Sequence, residues 1–164
     1  MGEKQKIRHA VLSGNHPERN QIMNENHTSD LSDYRLNKAM ELADEAKLLF
    51  DNRRYDGCVN RSYYAIFSAV RSLLALVGLD SRKHSGVISY FDRYFVRHGT
   101  FDREFSRIVH NSFDVRQASD YQDFYIISEA QARAQLEGCM RFISEVEEKR
   151  SLILRGELGL PDVE

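Results

Sequence analysis

The chain contains 164 residues, of which 41% are hydrophobic and 29% are charged, and its formal net charge is −2 at pH 7. This length is sufficient for one domain with a substantial core, and the composition is that of an ordinary globular protein. The nearly neutral total charge excludes a protein that binds nucleic acid through overall positive charge.

By composition, the chain consists of a central part and two short ends. Residues 1–28 are polar and lack a sustained periodicity, so we expect a flexible segment there. Residues 156–164 are expected to form a flexible tail. The intervening residues 29–155 are rich in helix formers, and both prolines, Pro17 and Pro161, lie outside this range. A long interior without proline favours an all-helical domain.

The first helix of this domain is expected to begin at a capping serine, Ser29 or Ser32. Its apolar stripe consists of Leu36, Ala39, Met40, Ala43, Ala46 and Phe50. The connection that follows, residues 51–54, is short. The first two helices should therefore be antiparallel neighbours.

The second helix, expected from Tyr55 to Gly78, is the element around which the rest should pack. Apolar residues recur at steps of three and four, namely Val59, Tyr63, Ile66, Val70, Leu73 and Val77. Tyr64, Phe67 and Leu74 widen this surface. The only narrow strip with little apolar surface, called the weak strip, consists of Arg61, Ala65, Ser68 and Ser72. A helix that is apolar on most of its circumference belongs at the centre of a bundle or of a dimer. If buried, Asn60 and Arg71 each need a partner, and Gly78 can end the helix in the left-handed conformation.

Three more helices are predicted after Gly78. The third covers about residues 86–96, and the fourth covers about residues 101–119. Ser128 should cap the fifth helix, with Gln131 completing a capping box. The expected fold is therefore an all-α, five-helix up-and-down bundle.

Common signatures of catalysis and metal binding are absent from the sequence. The chain has no phosphate-binding glycine loop, no HExxH motif and no Cys-x-x-Cys motif. Cys58 and Cys139 are expected to be buried free thiols, and we predict no metal site. No apolar run is long enough for a secretory signal or a membrane span, so we expect a cytoplasmic protein without a membrane partner.

The middle of the chain is basic, with eleven basic and six acidic side chains in residues 52–118. This bias indicates an anionic ligand or, alternatively, solvated helix faces. The densest polar cluster contains Arg116, Asp120 and Tyr121. Arg116 and Asp120 are four residues apart, so they can form a local ion pair that closes a helix. Alternatively, Arg116 presents its donors to a phosphate, with Tyr121 beside it.

Three stretches of the sequence, in this order, resemble the HEPN superfamily. Residues 60–74 resemble its central "YYAxxxxxRxLL" helix, residues 83–86 its "(S)HxG" helix start, and residues 116–121 its "RxxADY" element, with Ser119 where alanine is common. The resemblance covers roughly residues 31–149, and it is closest to the small stand-alone prokaryotic members of the superfamily.

The resemblance implies a helical bundle that forms a homodimer and is paired with a minimal nucleotidyltransferase, as a toxin with its antitoxin. Many relatives are metal-independent ribonucleases, so no cofactor is implied. Their arginine stabilises charge on the phosphate, and a histidine that follows it with four to six residues between them acts as acid or base for attack by the RNA 2′-hydroxyl.

On this basis the candidate catalytic residues are Arg116, Asp120 and Tyr121, and the candidate nucleotide- or RNA-binding residues are Arg71, His84 and Arg116. The chain departs from the ribonuclease signature because no histidine follows Arg116 at the required spacing. Arg93 with His98, and Arg103 with His110, fit that spacing outside the matched element. The hydroxyl of Tyr121 is instead a candidate acceptor of a nucleotidyl group from the partner enzyme.

The sequence is compatible with three hypotheses. The leading one is a HEPN-domain protein of a toxin–antitoxin-like pair with a nucleotidyltransferase, and the second is a ribonuclease toxin that uses Arg116 and an unidentified base. The third, which is the alternative to both, is a non-catalytic helical module that binds a nucleotide or a protein partner.

Overall fold

Five α-helices and one π-helical segment make up the described part of the protein. The computed structural model describes the backbone of residues 17–163 and the side chains of residues 26–163. The elements are α1 (Pro17–Asp51), α2 (Tyr55–Leu76), α3 (His84–Phe91), the π-helical segment (Asp92–Val96), α4 (Arg103–Tyr121) and α5 (Glu129–Leu154). These residues contain no strand, which confirms the predicted all-helical fold. Over the same part of the chain, no helix is both long enough and apolar enough to cross a membrane.

Helix α2 is the centre of the bundle, as its sequence predicts. It packs against α1, α3, α4 and α5. Its predicted weak strip is partly wrong, because Ala65 and Ser72 are fully buried. Small side chains at these positions allow a neighbouring helix to approach closely, and the carbonyl oxygen of Ser72 accepts a hydrogen bond from the Ser32 hydroxyl of α1 at 2.7 Å.

Helix α1 begins earlier than predicted, at Pro17 and not at Ser29 or Ser32. Proline suits the first helical position because its missing N–H needs no partner there. Ser32 lies inside the helix, where its buried hydroxyl also accepts a hydrogen bond from Nε of Arg150 at 2.7 Å. Of the segment 1–28 that was predicted to be flexible, residues 1–16 lie outside the described residues, and residues 17–28 belong to α1.

The third helix differs from the prediction in its start and in its second half. It begins at His84, and at Asp92 the backbone changes to π-helical bonding, in which the N–H of Arg97 donates to the carbonyl of Asp92 at 2.9 Å. Phe91 and Phe95 are both fully buried. The apolar pattern could not distinguish the two helical forms, because both place these two rings toward the core.

The remaining helix ends agree closely with the sequence. Gly78 adopts a φ of 69°, and the N–H of the next residue, Leu79, bonds back to the carbonyl of Leu74 at 3.0 Å, which closes α2. Ser128 and Gln131 form the predicted capping box of α5. Cys58 and Cys139 are buried free thiols, as predicted. Burial raises the pKa of both thiols, to about 12 for Cys139.

Candidate functional site

Arg116 extends from α4 onto two tyrosines of the central helix. Its guanidinium carbon lies 5.4 Å from the ring centroid of Tyr63 and 5.4 Å from that of Tyr64. Its Nη2 donates a hydrogen bond to the Tyr64 hydroxyl at 3.2 Å. Only 15% of the arginine side chain is exposed, so these cation–π contacts are partly shielded from water. The tyrosine pair therefore fixes the position of the charge.

Asp120 neutralises part of the charge on Arg116. Its Oδ2 lies 2.7 Å from Nε of Arg116, which confirms the predicted local ion pair. Within the described part of the chain, the buried Nε of Arg116 forms no hydrogen bond, because no acceptor lies in the direction of its N–H. The contact is thus a close ion pair without good hydrogen-bond geometry.

His84, the first residue of α3, joins the same cluster through Tyr63. Its Nδ1 lies 2.6 Å from the Tyr63 hydroxyl, and its ring centroid lies 4.4 Å from that of Phe67. Loss of hydration lowers the pKa of His84, and the positive charges of Arg116 and Arg71 lower it further. Burial raises the pKa of Tyr63 to about 12, so its hydroxyl keeps its proton at neutral pH.

The neutral imidazole of His84 is therefore the favoured state at neutral pH. Since a tyrosine hydroxyl can donate or accept, the bond to Tyr63 is compatible with either tautomer of His84. Nδ1 is occupied in both cases, which leaves Nε2 as the nitrogen available to a ligand.

A tight turn places His84 at the start of α3. The Ser81 hydroxyl accepts a hydrogen bond from the backbone N–H of Lys83 at 3.2 Å. A Cβ atom on Gly86 would lie only 2.2 Å from this Ser81 oxygen, so glycine is required for the loop to pass this close. The glycine of the His-x-Gly pattern therefore sets the position of the histidine.

Arg71 is held by a carboxylate that the end of α2 brings back toward it. Its Nη2 donates to Oδ2 of Asp80 at 2.7 Å, and Arg35 of α1 donates to the same oxygen at 2.8 Å. The hydrogen bond from Arg71 is the main cause that lowers the pKa of Asp80 to about 2. Arg71 is thus the partnered polar residue that the sequence required, with its guanidinium also 5.9 Å from the ring of Phe67.

The open groove beside His84 encloses about 510 Å³. Sites for small molecules and cofactors typically measure about 300 to 1,000 Å³. The groove is lined by Phe67, Arg71, Asp80, Ser81, Arg82 and His84. The lining combines aromatic faces with positive charge. Such a surface can stack a base and bind a phosphate.

The predicted site residues fall into one connected group and one separate residue. Arg116 and Asp120 form a pair, Arg71 and His84 line one groove, and the charges of both arginines act on His84. Tyr121 ends α4 with 74% of its surface exposed, beyond the pair of Tyr63 and Tyr64.

Three further residues contribute to the site, and sequence reasoning did not include them in it. The apolar spacing of α2 assigns Tyr63, Tyr64 and Phe67 to its apolar surface, whereas in the structure their hydroxyls and ring faces hold Arg116 and His84. The available signal was the tyrosine pair itself, because a buried tyrosine hydroxyl needs a polar partner. Within the described residues, no group of three or more His, Cys, Asp or Glu side chains is placed to hold a metal ion.

Comparison with known proteins identifies the family. The HEPN domain profile matches residues 32–149. The chain is 34% identical over 122 residues to a UPF0332 protein of Thermotoga maritima, an alignment that covers 74% of this chain and 92% of that protein. It is 41% identical over 86 residues to a Methanocaldococcus jannaschii protein that bears the name "Putative toxin", with coverage of 50% of this chain and 64% of that protein. The chain belongs to the HEPN-domain family.

Proposed function

We propose that this protein is the toxin-like member of a pair with a nucleotidyltransferase, and that it is a metal-independent ribonuclease. The observation that carries the proposal is the position of His84 at the groove, under the combined influence of Arg71 and Arg116. The histidine that is missing from the Arg116 element is thereby supplied from another helix.

The proposed reaction is attack of an RNA 2′-hydroxyl on the adjacent phosphorus. The bond from O2′ to phosphorus forms, the bond from phosphorus to O5′ breaks, and the products are a 2′,3′-cyclic phosphate and a 5′-hydroxyl. Arg116 stabilises the charge that develops on the phosphate oxygens. His84 accepts the proton of the 2′-hydroxyl through Nε2, and a water molecule protonates the leaving O5′. The lowered pKa of His84 keeps the neutral base populated at pH 7.

Asp120 has a positioning role in this proposal. Its carboxylate orients Arg116 from within the same helix, and it stands close to the place where substrate charge would arrive. A phosphate that binds Arg116 must therefore share the guanidinium with Asp120 or displace it.

The pairing with a nucleotidyltransferase involves Tyr121 in this proposal. The exposed hydroxyl is accessible to a second protein, as an acceptor must be. Its oxygen would attack the α-phosphorus of a nucleoside triphosphate, with release of pyrophosphate and loss of the hydroxyl proton to the partner enzyme. The attached nucleotide would place a bulky anion close in sequence to Arg116 and block access to it.

A homodimer is part of the proposal, because the family resemblance implies a cleft formed by two copies. Analytical ultracentrifugation at micromolar concentration tests it directly. A monomer at that concentration would contradict the composite cleft.

The test of ribonuclease function is induced expression in a bacterial host, with growth and total RNA integrity as readouts. We expect the wild type to arrest growth and degrade RNA, and Arg116→Ala to abolish both. Removal of one group that stabilises transition-state charge typically costs on the order of 100-fold in rate. Arg141→Ala is the matched control, because Arg141 also pairs with a carboxylate and lies 5.5 Å from an aromatic ring, but on the exposed face of α5.

His84 is tested in the same assay. His84→Ala should abolish arrest, whereas His98→Ala, which changes an exposed histidine beyond the π-helical segment, should not. Unchanged RNA degradation in Arg116→Ala, at matched protein levels, would contradict the proposed ribonuclease.

One observation favours a non-catalytic binding module as the second candidate. Both Arg71 and Arg116 are already paired with carboxylates, which lowers the charge they offer to RNA. This candidate predicts no RNA degradation by any variant. It also predicts a complex with the nucleotidyltransferase whose affinity falls with salt.

A further inference from the structure

A second groove lies next to the groove beside His84, which is called the first groove below. It encloses about 390 Å³ between α3, the π-helical segment and α4, and Ser85, next to His84, lies on its edge. Ile88 and Phe113 contribute apolar surface, and Arg93, Arg97 and His110 contribute polar groups. None of these last three residues belongs to the site around Arg116.

Asp92 holds His110 in a fixed orientation on this groove. The Ser106 hydroxyl donates to Oδ1 of Asp92 at 2.6 Å, and Oδ2 of Asp92 lies 2.6 Å from Nε2 of His110. Both carboxylate oxygens are therefore engaged by α4. A carboxylate that accepts from Nε2 leaves Nδ1 available to a ligand, and in the imidazolium form of the ring Nδ1 also carries a proton that it can donate to an anionic oxygen. Half of the His110 side chain, 51%, is exposed.

The π-helical segment brings Arg97 toward the same side as Asp92. Residues five apart in an α-helix point about 140° away from each other. Bonding from residue i to i+5, as between the carbonyl of Asp92 and the N–H of Arg97, brings such residues closer to alignment. The unusual backbone thus adds a second cation to the groove.

Arg93 and Arg97 differ from Arg71 and Arg116 in their partners. Within the part of the chain that the structure describes, neither Arg93 nor Arg97 forms an ion pair, whereas Arg71 and Arg116 both do. The guanidinium of Arg93 lies 5.1 Å from the ring centroid of Tyr94, which limits its freedom. Asp114 is the second carboxylate of the lining, and its exposed side chain leaves it hydrated.

We propose that this groove is a second phosphate-binding site, in which the guanidinium groups of Arg93 and Arg97 and the imidazole of His110 contact the phosphate oxygens. The apolar floor suits the base or sugar of a nucleotide. The phosphate belongs either to a free mononucleotide or to an RNA strand that crosses the start of α3 from the first groove. Only the second source rests on the proposed function.

The test is binding of two probes at low salt by isothermal titration calorimetry. The probes are adenosine 5′-monophosphate and a 2′-O-methylated uridine decamer, which cannot be cleaved through its 2′-hydroxyl. The test variant is Arg93→Ala with Arg97→Ala. The matched control is Arg103→Ala with Arg107→Ala, which removes two exposed arginines of α4 that do not line the groove.

We expect the Arg93/Arg97 variant to bind one or both probes at least about tenfold more weakly, because charge-assisted contacts to phosphate are lost. The control should change affinity less than about twofold. Loss with the mononucleotide identifies the free-nucleotide source, and loss with the decamer alone identifies the strand source. The NMR signals of the His110 ring should shift with whichever probe binds.

Equal losses in the two variants, no loss in the Arg93/Arg97 variant, or no binding of either probe by the wild type would overturn the inference. The growth assay reports on the first groove separately. Growth arrest that requires Arg116, together with any of these three binding results, would refute the second site and leave the proposed function intact. Weaker probe binding by the Arg93/Arg97 variant than by the control variant, without growth arrest that requires Arg116, would refute the proposed function and leave the second phosphate site intact.

Discussion

Burial gives His84 properties that an exposed histidine lacks. Loss of hydration and two nearby positive charges all disfavour its protonated form, so its pKa is lower in the folded protein than in the unfolded chain. The folded state therefore binds fewer protons than the unfolded state below about pH 6.5. Stability is not affected by this residue above that pH, and it decreases as the pH falls toward the lowered pKa.

The charge of Arg116 should be visible in the titration of His84. Replacing it by Arg116→Gln removes one of the causes of the low pKa, so we expect the pKa of His84 to rise toward its ordinary value. An NMR titration of the histidine ring signals measures this shift, and Arg141→Gln, on the exposed face of α5, should leave it unchanged. A His84 pKa at or above 6.5 in the wild type would contradict the described environment.

At the scale of the helices, polar contacts in the interior fix how neighbouring elements meet. The Ser32 hydroxyl joins α1 to the carbonyl of Ser72 on α2 and to Arg150 on α5. The Arg150 side chain is mostly buried, and it also pairs with Asp33. One small hydroxyl thus serves as donor and acceptor at the junction of three helices.

This junction predicts a measurable loss of stability. Ser32→Ala would leave a buried carbonyl and a buried guanidinium without one partner each, which typically costs about 1–3 kcal/mol. Urea unfolding measures the change in the free energy of unfolding. Ser144→Ala, on the exposed face of α5, should stay within about 0.5 kcal/mol of the wild type. Similar values for the two variants would show that the junction does not contribute.

At the scale of the whole molecule, the fold could be predicted because apolar periodicity is a local property. The spacing of apolar residues from Val59 to Val77 placed α2 at the centre, and Gly78 and Ser128 marked helix ends correctly. The start of α1 was wrong because Ser32 resembles a cap in sequence. Its hydroxyl instead serves contacts with helices that are distant in the chain.

The site was only partly predictable for the same reason. The pair of Arg116 and Asp120 is local, and its spacing of four residues within one helix predicts it. The link between Arg116 and His84 depends on how α3 and α4 pack against the tyrosines of α2, which no local pattern encodes. The sequence therefore suggested that a histidine was missing, whereas the fold brings one from a different helix into the same electrostatic environment.

In the proposed ribonuclease, Arg116 and His84 act together in one reaction. The most direct measurement is the rate of RNA cleavage by purified wild type, Arg116→Ala, His84→Asn and the double variant, each verified as folded by circular dichroism. We predict that each single variant loses on the order of 100-fold in rate and that the double variant is little worse than the poorer single one. Full activity in either single variant, or losses that multiply in the double variant, would contradict a shared site.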